Sequence, residues 1–168
     1  MSALVIYESM WGNTRTVAEA VGRGLGPDTR VVEVGDAPTP LPPDIELLVI
    51  GGPTHAFSMS HESTRKDAVQ KGAEPGHTGR GIREWLDDQP ASDHVDVATF
   101  DTRVTSVRKL PGSAARAAAK SVRKHHLGSV VATESFYVTD MDGPLADRET
   151  ERAVEWGAEL RRSRGEHP

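Results

Sequence analysis

The chain reads as a doubly wound α/β fold, with five parallel strands in the order 2-1-3-4-5 and helices on both faces. Three observations predict it. Short apolar runs rich in β-branched residues alternate with stretches whose apolar residues recur at helical spacing. The runs are apolar at almost every position, as in strands covered on both faces. The 168 residues suit a single domain spanning 1–168, large enough to bury roughly two-thirds of its unfolded surface. The expected sheet order is 2-1-3-4-5, one of the common doubly wound orders built from right-handed crossovers.

The first strand is Ala3 to Tyr7, and Val17, Ala20 and Val21 carry the helix after it. Gly24, Gly26 and Pro27 are expected to break that helix. Arg30 to Val34 reads as the second strand. Four prolines between Pro38 and Pro43 force a loop, so the connection to the third strand holds an irregular helix or none. Ile45 to Ile50, apolar apart from Glu46, is a central strand.

The polar stretch Ser60 to Gly79, with His61, Arg65, Lys66, Asp67, Lys71 and His77, is too long for a plain connection. A short helix fits about Glu62 to Lys71. The segment is expected to act as a lid, more mobile without a ligand beneath it. Ile82, Trp85 and Leu86 mark the inner face of the next helix. Val95 to Phe100 alternate as the fourth strand and lead into a loop at Asp101-Thr102-Arg103. Ala115, Ala118, Ala119 and Val122 form a small-residue stripe, with Arg116, Lys120, Arg123 and Lys124 along the outer side. Such a charged face is ordinarily solvated and can also dock an acidic partner. Ser129 to Thr133 and Phe136 to Val138 make the fifth strand, with a break at Glu134-Ser135. Ala153, Trp156, Gly157 and Leu160 close the chain on a helix capped by Asp147.

Composition narrows the functions. There is no cysteine, which removes disulfides, thiolate metal sites and the cysteine-dependent phosphatases built on small α/β domains. A net charge of −5 argues against nucleic acid as a partner. No apolar run approaches a membrane span, and the start lacks the basic-then-apolar lead of a signal peptide. A cytoplasmic protein without membrane contact is therefore expected. His55, His61 and His77 match no zinc spacing, so no metal site is expected.

The stretch that carries chemistry is Tyr7-Glu8-Ser9-Met10-Trp11-Gly12-Asn13-Thr14, where the first strand turns into the first helix. The first N–H groups of a helix have no intrahelical partner and sit at the positive end of the helix dipole, so they seat an anion. Ser9, Asn13 and Thr14 add neutral donors, and Gly12 lets the chain close around a guest. The loop has no lysine and does not spell the nucleotide-triphosphatase pattern, and Gly-x-Gly-x-x-Gly is absent, which disfavours a dinucleotide. One terminal phosphate suits it better. Across the switch point between strands 1 and 3 lies the second loop, Gly51-Gly52-Pro53-Thr54-His55-Ala56-Phe57. A receiver domain shares this architecture, but it needs an acidic pair after strand 1, an Asp ending strand 3 and a Lys after strand 5. Here Glu8 is alone, and Gly51-Gly52 and Thr139-Asp140 fill the other places.

Ser-Met-Trp-Gly-Asn-Thr after a first strand resembles the phosphate loop of flavodoxins and of the flavodoxin-like domains of flavodiiron proteins and quinone reductases. Gly-Pro-Thr ending strand 3 is similar to the start of their second flavin loop. The resemblance implies a flavodoxin-like fold holding FMN. The contacts would come from Ser9, Met10, Trp11, Gly12, Asn13 and Thr14, from Pro53, Thr54, His55, Ala56 and Phe57, and from Asp101, Thr102 and Arg103. Trp11 or Phe57 would stack on the flavin ring. It further implies an electron-transfer protein, with a reductase or acceptor protein as partner and no catalytic acid or base. An alternative on the same fold is an oxidoreductase passing hydride from NADH or NADPH through FMN to a small quinone-like acceptor, with Arg103 to Lys109 receiving nicotinamide phosphates. A weaker one is a domain that kept the fold and lost the flavin. Flavodoxins commonly carry glycine, acids and a tyrosine after strand 4, whereas here Arg103, Arg108 and Lys109 follow Asp101. One net positive charge about 8 Å away is worth roughly 2 kcal/mol at an effective dielectric near 20. A less negative flavin potential is therefore expected.

Overall fold

The central strand, β3 (Leu47–Pro53), pairs in parallel with β1 (Ala3–Tyr7) on one side and β4 (Ser92–Val104) on the other. Strands β2 (Thr29–Glu33) and β5 (Leu127–Val138) form the edges, giving the expected order β2-β1-β3-β4-β5. The computed structural model describes residues 1–75 and 78–165. His77 of the polar stretch therefore lies outside the described residues.

Side chains alternate across each strand, and this decides which helix goes where. Ala3, Val5, Tyr7, Leu47 and Val49 point to the face covered by α1 (Asn13–Leu25) and α5 (Glu149–Gly165), meeting Val17, Val21, Trp156 and Leu160. Leu4, Ile6, Leu48 and Ile50 point to the other face, under α3 (Ile82–Asp87) and α4 (Ala114–Lys124), where they meet Trp85, Leu86 and Val122. Phe100, Phe136 and Trp156 pack edge to face, with centroids 5.9 to 6.2 Å apart, and tie β4 and β5 to α5. The remaining helix, α2 (Glu62–Gln70), sits by the β1–α1 loop, with Ala68 against Met10 and Trp11.

β3 begins at Leu47 rather than Ile45 and keeps Gly51-Gly52-Pro53, expected in the second loop, in the sheet through pairing with β4, which itself opens at Ser92 rather than Val95. The structure differs from the sequence reading in five further places. The second strand ends at Glu33, and Val34 opens a one-turn 3₁₀ helix, Val34–Asp36, in place of a full crossover helix. β4 does not stop at Phe100 but runs through Asp101-Thr102-Arg103 to Val104, because those residues stay paired to β3 and β5. β5 is unbroken at Glu134-Ser135, since an edge strand can send Glu134 to Arg152, 3.2 Å away. α5 opens at Glu149 behind Arg148, which takes a φ of 66°, so Asp147 is not its flanking cap.

The fifth difference is Gly24, which lies inside α1 rather than ending it. A Cβ there would stand 2.1 Å from the Val154 carbonyl oxygen, and one on Gly157 would stand 2.3 Å from that of Val21. The two glycines let α1 and α5 touch backbone to backbone. Gly157→Val is therefore expected to push the helices apart and to cost about 1 to 3 kcal/mol, measured by chemical denaturation.

Candidate functional site

The carboxyl ends of β1 and β3 are neighbours, so the loops that follow them face each other. In the first loop Gly12 takes a φ of 88° and flanks α1, a left-handed conformation that favours glycine. The Ser9 hydroxyl accepts from the backbone N–H of Gly12 at 3.1 Å and of Arg15 at 3.3 Å, which curls the loop about its own centre. The N–H groups of Asn13 and Thr14, at the first helical positions, have no intrahelical acceptor. Thr14, almost fully buried, shares a 2.7 Å hydrogen bond between hydroxyls with Thr102 of β4.

Between the loops lies a cleft, open to solvent, that encloses about 60 Å³. Met10, Trp11, Asn13 and Thr14 line it from the first loop, and Pro53, Thr54 and His55 from the second. Thr102 and Arg103 form its floor side, and Val104, Val138 and Met141 complete it. Sequence reasoning did not name these last three. A second hollow of about 310 Å³ adjoins it, sharing Trp11, Thr54, His55, Val104 and Met141 and adding Ala56, Thr64 and Lys71.

Not every expected contact lines the cleft. Ser9 and Gly12 shape the loop without lining the cleft. Phe57 is 48% exposed, at φ 64° on the tight turn that closes with His55–Ser58 hydrogen bonds in both directions, and does not line the cleft. Asp101 is fully buried beneath the cleft, where its Oδ2 accepts from Ala115 N at 2.9 Å, and Thr54 Oγ1 accepts from Ala114 N at 3.0 Å. With Ser113 accepting from Arg116 N, these groups cap α4. Arg103 is also buried. Its Nη2 donates to the carbonyls of Val107 and Leu110 at 2.9 and 3.1 Å and holds the turn after β4, while its buried Nε has no hydrogen-bond partner among the described residues. Arg103→Glu would set a carboxylate against two carbonyl oxygens, and the charge around the cleft is better varied at the exposed Arg108 and Lys109.

His55, on the cleft wall, bonds Thr64 Oγ1 through Nδ1 at 3.0 Å. Burial, and then the nearby Arg65 charge, hold the imidazole below its ordinary value, so it is neutral at pH 7.

Four residues that sequence reasoning did not connect form the strongest polar network of the region. Arg65 of α2 is completely buried. Its Nε donates to Thr78 O at 2.6 Å, Nη1 to Ser60 Oγ at 2.8 Å and Nη2 to Glu84 Oε1 at 2.7 Å. Glu8, directly ahead of the first loop, accepts from Ser60 Oγ at 2.6 and 2.8 Å and from Ile82 N at 3.2 Å, with Arg65 Nη1 3.6 Å away. Burial pushes the Glu8 carboxyl up, against the pull of Ser60 and Arg65. For Glu84 burial also pushes up, but the hydrogen bond from Arg65, the backbone N–H groups of Gly81 and Glu84 and the Arg65 charge together outweigh it and the value is lowered. The segment after Ser60 is thus pinned to the end of the sheet by a buried cation. The local signal was present: Arg65 shares the inner stripe of α2 with Ala68, three residues on. Among the described residues no cluster of three or more His, Asp and Glu is placed to hold a metal ion.

No family model matches this chain, and no curated protein matches it. Solved structures do. A flavodoxin from the domain Archaea is 18% identical with a TM-score of 0.62, over 97% of this chain and 98% of that one. Oxidised flavodoxin 1 from Bacillus cereus is 14% identical with a TM-score of 0.62, over 95% and 97%. The diflavin flavoprotein A3 from Nostoc sp. is 17% identical with a TM-score of 0.51, over 99% and 98%. Identities this low speak for architecture, and on that evidence the chain has a flavodoxin-like fold along nearly its whole length.

Proposed function

We propose that the cleft binds FMN and that the chain is a flavodoxin-like electron-transfer protein. The observation that carries this is the hydroxyl- and amide-rich Ser9–Thr14 loop opening α1, facing Pro53–His55 across a cleft at the β1/β3 switch point. The residues suit the group. A phosphate would be held by first-turn N–H groups and by Thr14, whose hydroxyl can accept from Thr102 and donate onward. Trp11 is the aromatic that lines the cleft, and it is braced from behind by Ala68 and the turn at Gly72. Bound there, FMN supplies the redox chemistry. The side chains orient it and exclude water, and none is assigned as acid or base. What the Archaeal and Bacillus cereus structures are called, flavodoxins, agrees with the reading. A cytoplasmic location belongs to the same proposal; among the described residues no helix is long and apolar enough to cross a membrane.

One observation favours a second reading. The adjoining hollow shares Trp11, Thr54 and His55 with the cleft and would admit a quinone-like acceptor or a nicotinamide next to a bound flavin. That would make the chain an NAD(P)H-dependent oxidoreductase. The visible spectrum of the purified protein tests the first point: a flavin spectrum released as FMN supports the proposal, and a colourless protein that takes up no added FMN refutes it in favour of a fold that lost its flavin. Rapid bleaching of bound FMN by NADH or NADPH alone would select the oxidoreductase.

A further inference from the structure

The surface beside the cleft carries charge that the cleft does not use. From Thr102 to Thr133 the chain has no Asp or Glu, yet it holds seven of the 20 Lys and Arg; all 25 acids lie elsewhere in a chain of net charge −5. Arg108 and Lys109 are exposed on the turn after β4, and Arg116 is exposed on the first turn of α4. None of the three makes an ion pair among the described residues.

Two large apolar side chains stand among these cations. Leu110 is 47% exposed and Phe57 is 48% exposed. They belong to one surface: a Cβ placed on Gly112 would stand 2.8 Å from the Phe57 carbonyl oxygen and 3.2 Å from its Cβ. The turn is set from below by the two hydrogen bonds from buried Arg103, so the cations are presented on a preorganised support. Exposed apolar residues ringed by charge have the composition of an interface. The walls of the cleft lead straight into it, through Thr54–His55 on one side and Arg103–Val104 on the other. Across the cleft Asp140 and Asp142 are exposed beside Met141, so the rim is polarised and a partner would be oriented as well as attracted.

We infer that the Phe57, Arg108–Leu110 and Arg116 surface docks a protein that presents an acidic face, bringing it against the mouth of the cleft. The inference rests on the reading of the cleft as a flavin site and adds the chemistry of the partner. The patch suits a weak, salt-sensitive encounter of small area. The chain's acids lie outside it, so it is not neutralised from within its own sequence neighbourhood.

The test is an amide-shift titration of the full chain, with and without FMN, using an acidic plant-type [2Fe–2S] ferredoxin and the basic cytochrome c as probes. The ferredoxin is expected to move the amides of Phe57 and of the turn from Ser106 to Gly112. Its affinity should fall about fivefold or more between low and physiological salt, and about tenfold in Arg108→Glu/Lys109→Glu. FMN affinity should be unchanged in that variant. Unmoved amides, or a larger effect from cytochrome c, overturn the inference. So does NADPH moving the same amides at micromolar concentration, which would mark a nucleotide site, or self-association abolished by the double variant, which would mark a second copy. FMN binding without ferredoxin docking sinks this inference alone. Ferredoxin docking on a chain that refuses FMN sinks the flavin reading alone.

Discussion

Arg65→Leu is expected to destabilise the fold by about 3 to 5 kcal/mol, the cost of leaving a buried charge without its partner. The guanidinium is fully buried and bonds Ser60, Thr78 and Glu84 while facing Glu8. Its loss strands Glu8 at the end of β1, next to the loop proposed to hold phosphate. Glu8 also gives the pH dependence a sign. Its folded-state value is raised by burial above 4.5, so the native state holds a proton that the unfolded state releases. Stability from this group therefore falls as pH rises from 4.5 through the raised value. Removing Arg65 takes away a charge that lowers that value, so the fall should steepen in Arg65→Leu. Adding Glu8→Gln should recover part of the loss and flatten the slope, a coupling that denaturation at several pH values reads directly. If Arg65→Leu cost under about 1 kcal/mol, the site would be relaxing around a cation that contributes nothing net.

Thr14→Val should act on both the fold and the ligand. Valine keeps the shape but leaves the Thr102 hydroxyl, 2.7 Å away in a buried setting, without its partner, a cost of about 1 to 3 kcal/mol. A hydrogen bond to a charged phosphate contributes about 1.5 to 3 kcal/mol, so FMN should bind roughly ten- to a hundredfold more weakly while riboflavin is affected much less. Stability and both affinities can be measured on the same preparation. Loss of stability with unchanged FMN affinity would confine Thr14 to joining β4 to the first loop.

How much of this was legible in the sequence depends on how local its cause is. The alternating apolar runs announce a doubly wound parallel sheet, and the structure has the expected order. The loop at Ser9–Thr14 was legible because six adjacent residues carry it. The end of β4 was not, because Asp101-Thr102-Arg103 reads as polar loop while pairing with β3 and β5, over forty and over thirty residues away, keeps it in the sheet. The local sequence likewise hides what holds Asp101, buried beneath the cleft, and Arg103, which lines it. Their hydrogen-bond partners, Ala115 in one case and Val107 with Leu110 in the other, are backbone groups of the next turn and helix. Arg65 reads only as one charge of a polar stretch, because composition cannot distinguish a charged residue facing water from one facing Glu8, 57 positions earlier. Gly24 looked like a stop signal and is a contact with Gly157, a distinction that only the approach of α5 makes.

The most direct measurement is the affinity of the unmodified chain for FMN and for riboflavin, read from the quenching of flavin fluorescence on titration. The two ligands share the ring and differ at the terminal phosphate. If first-turn N–H groups and Thr14 hold that phosphate, several charge-assisted hydrogen bonds are lost with it, and riboflavin should bind about a hundredfold or more weakly than FMN. Equal affinities would mean that the Ser9–Thr14 loop is not a phosphate seat, and the reading of the cleft as an FMN site would be contradicted.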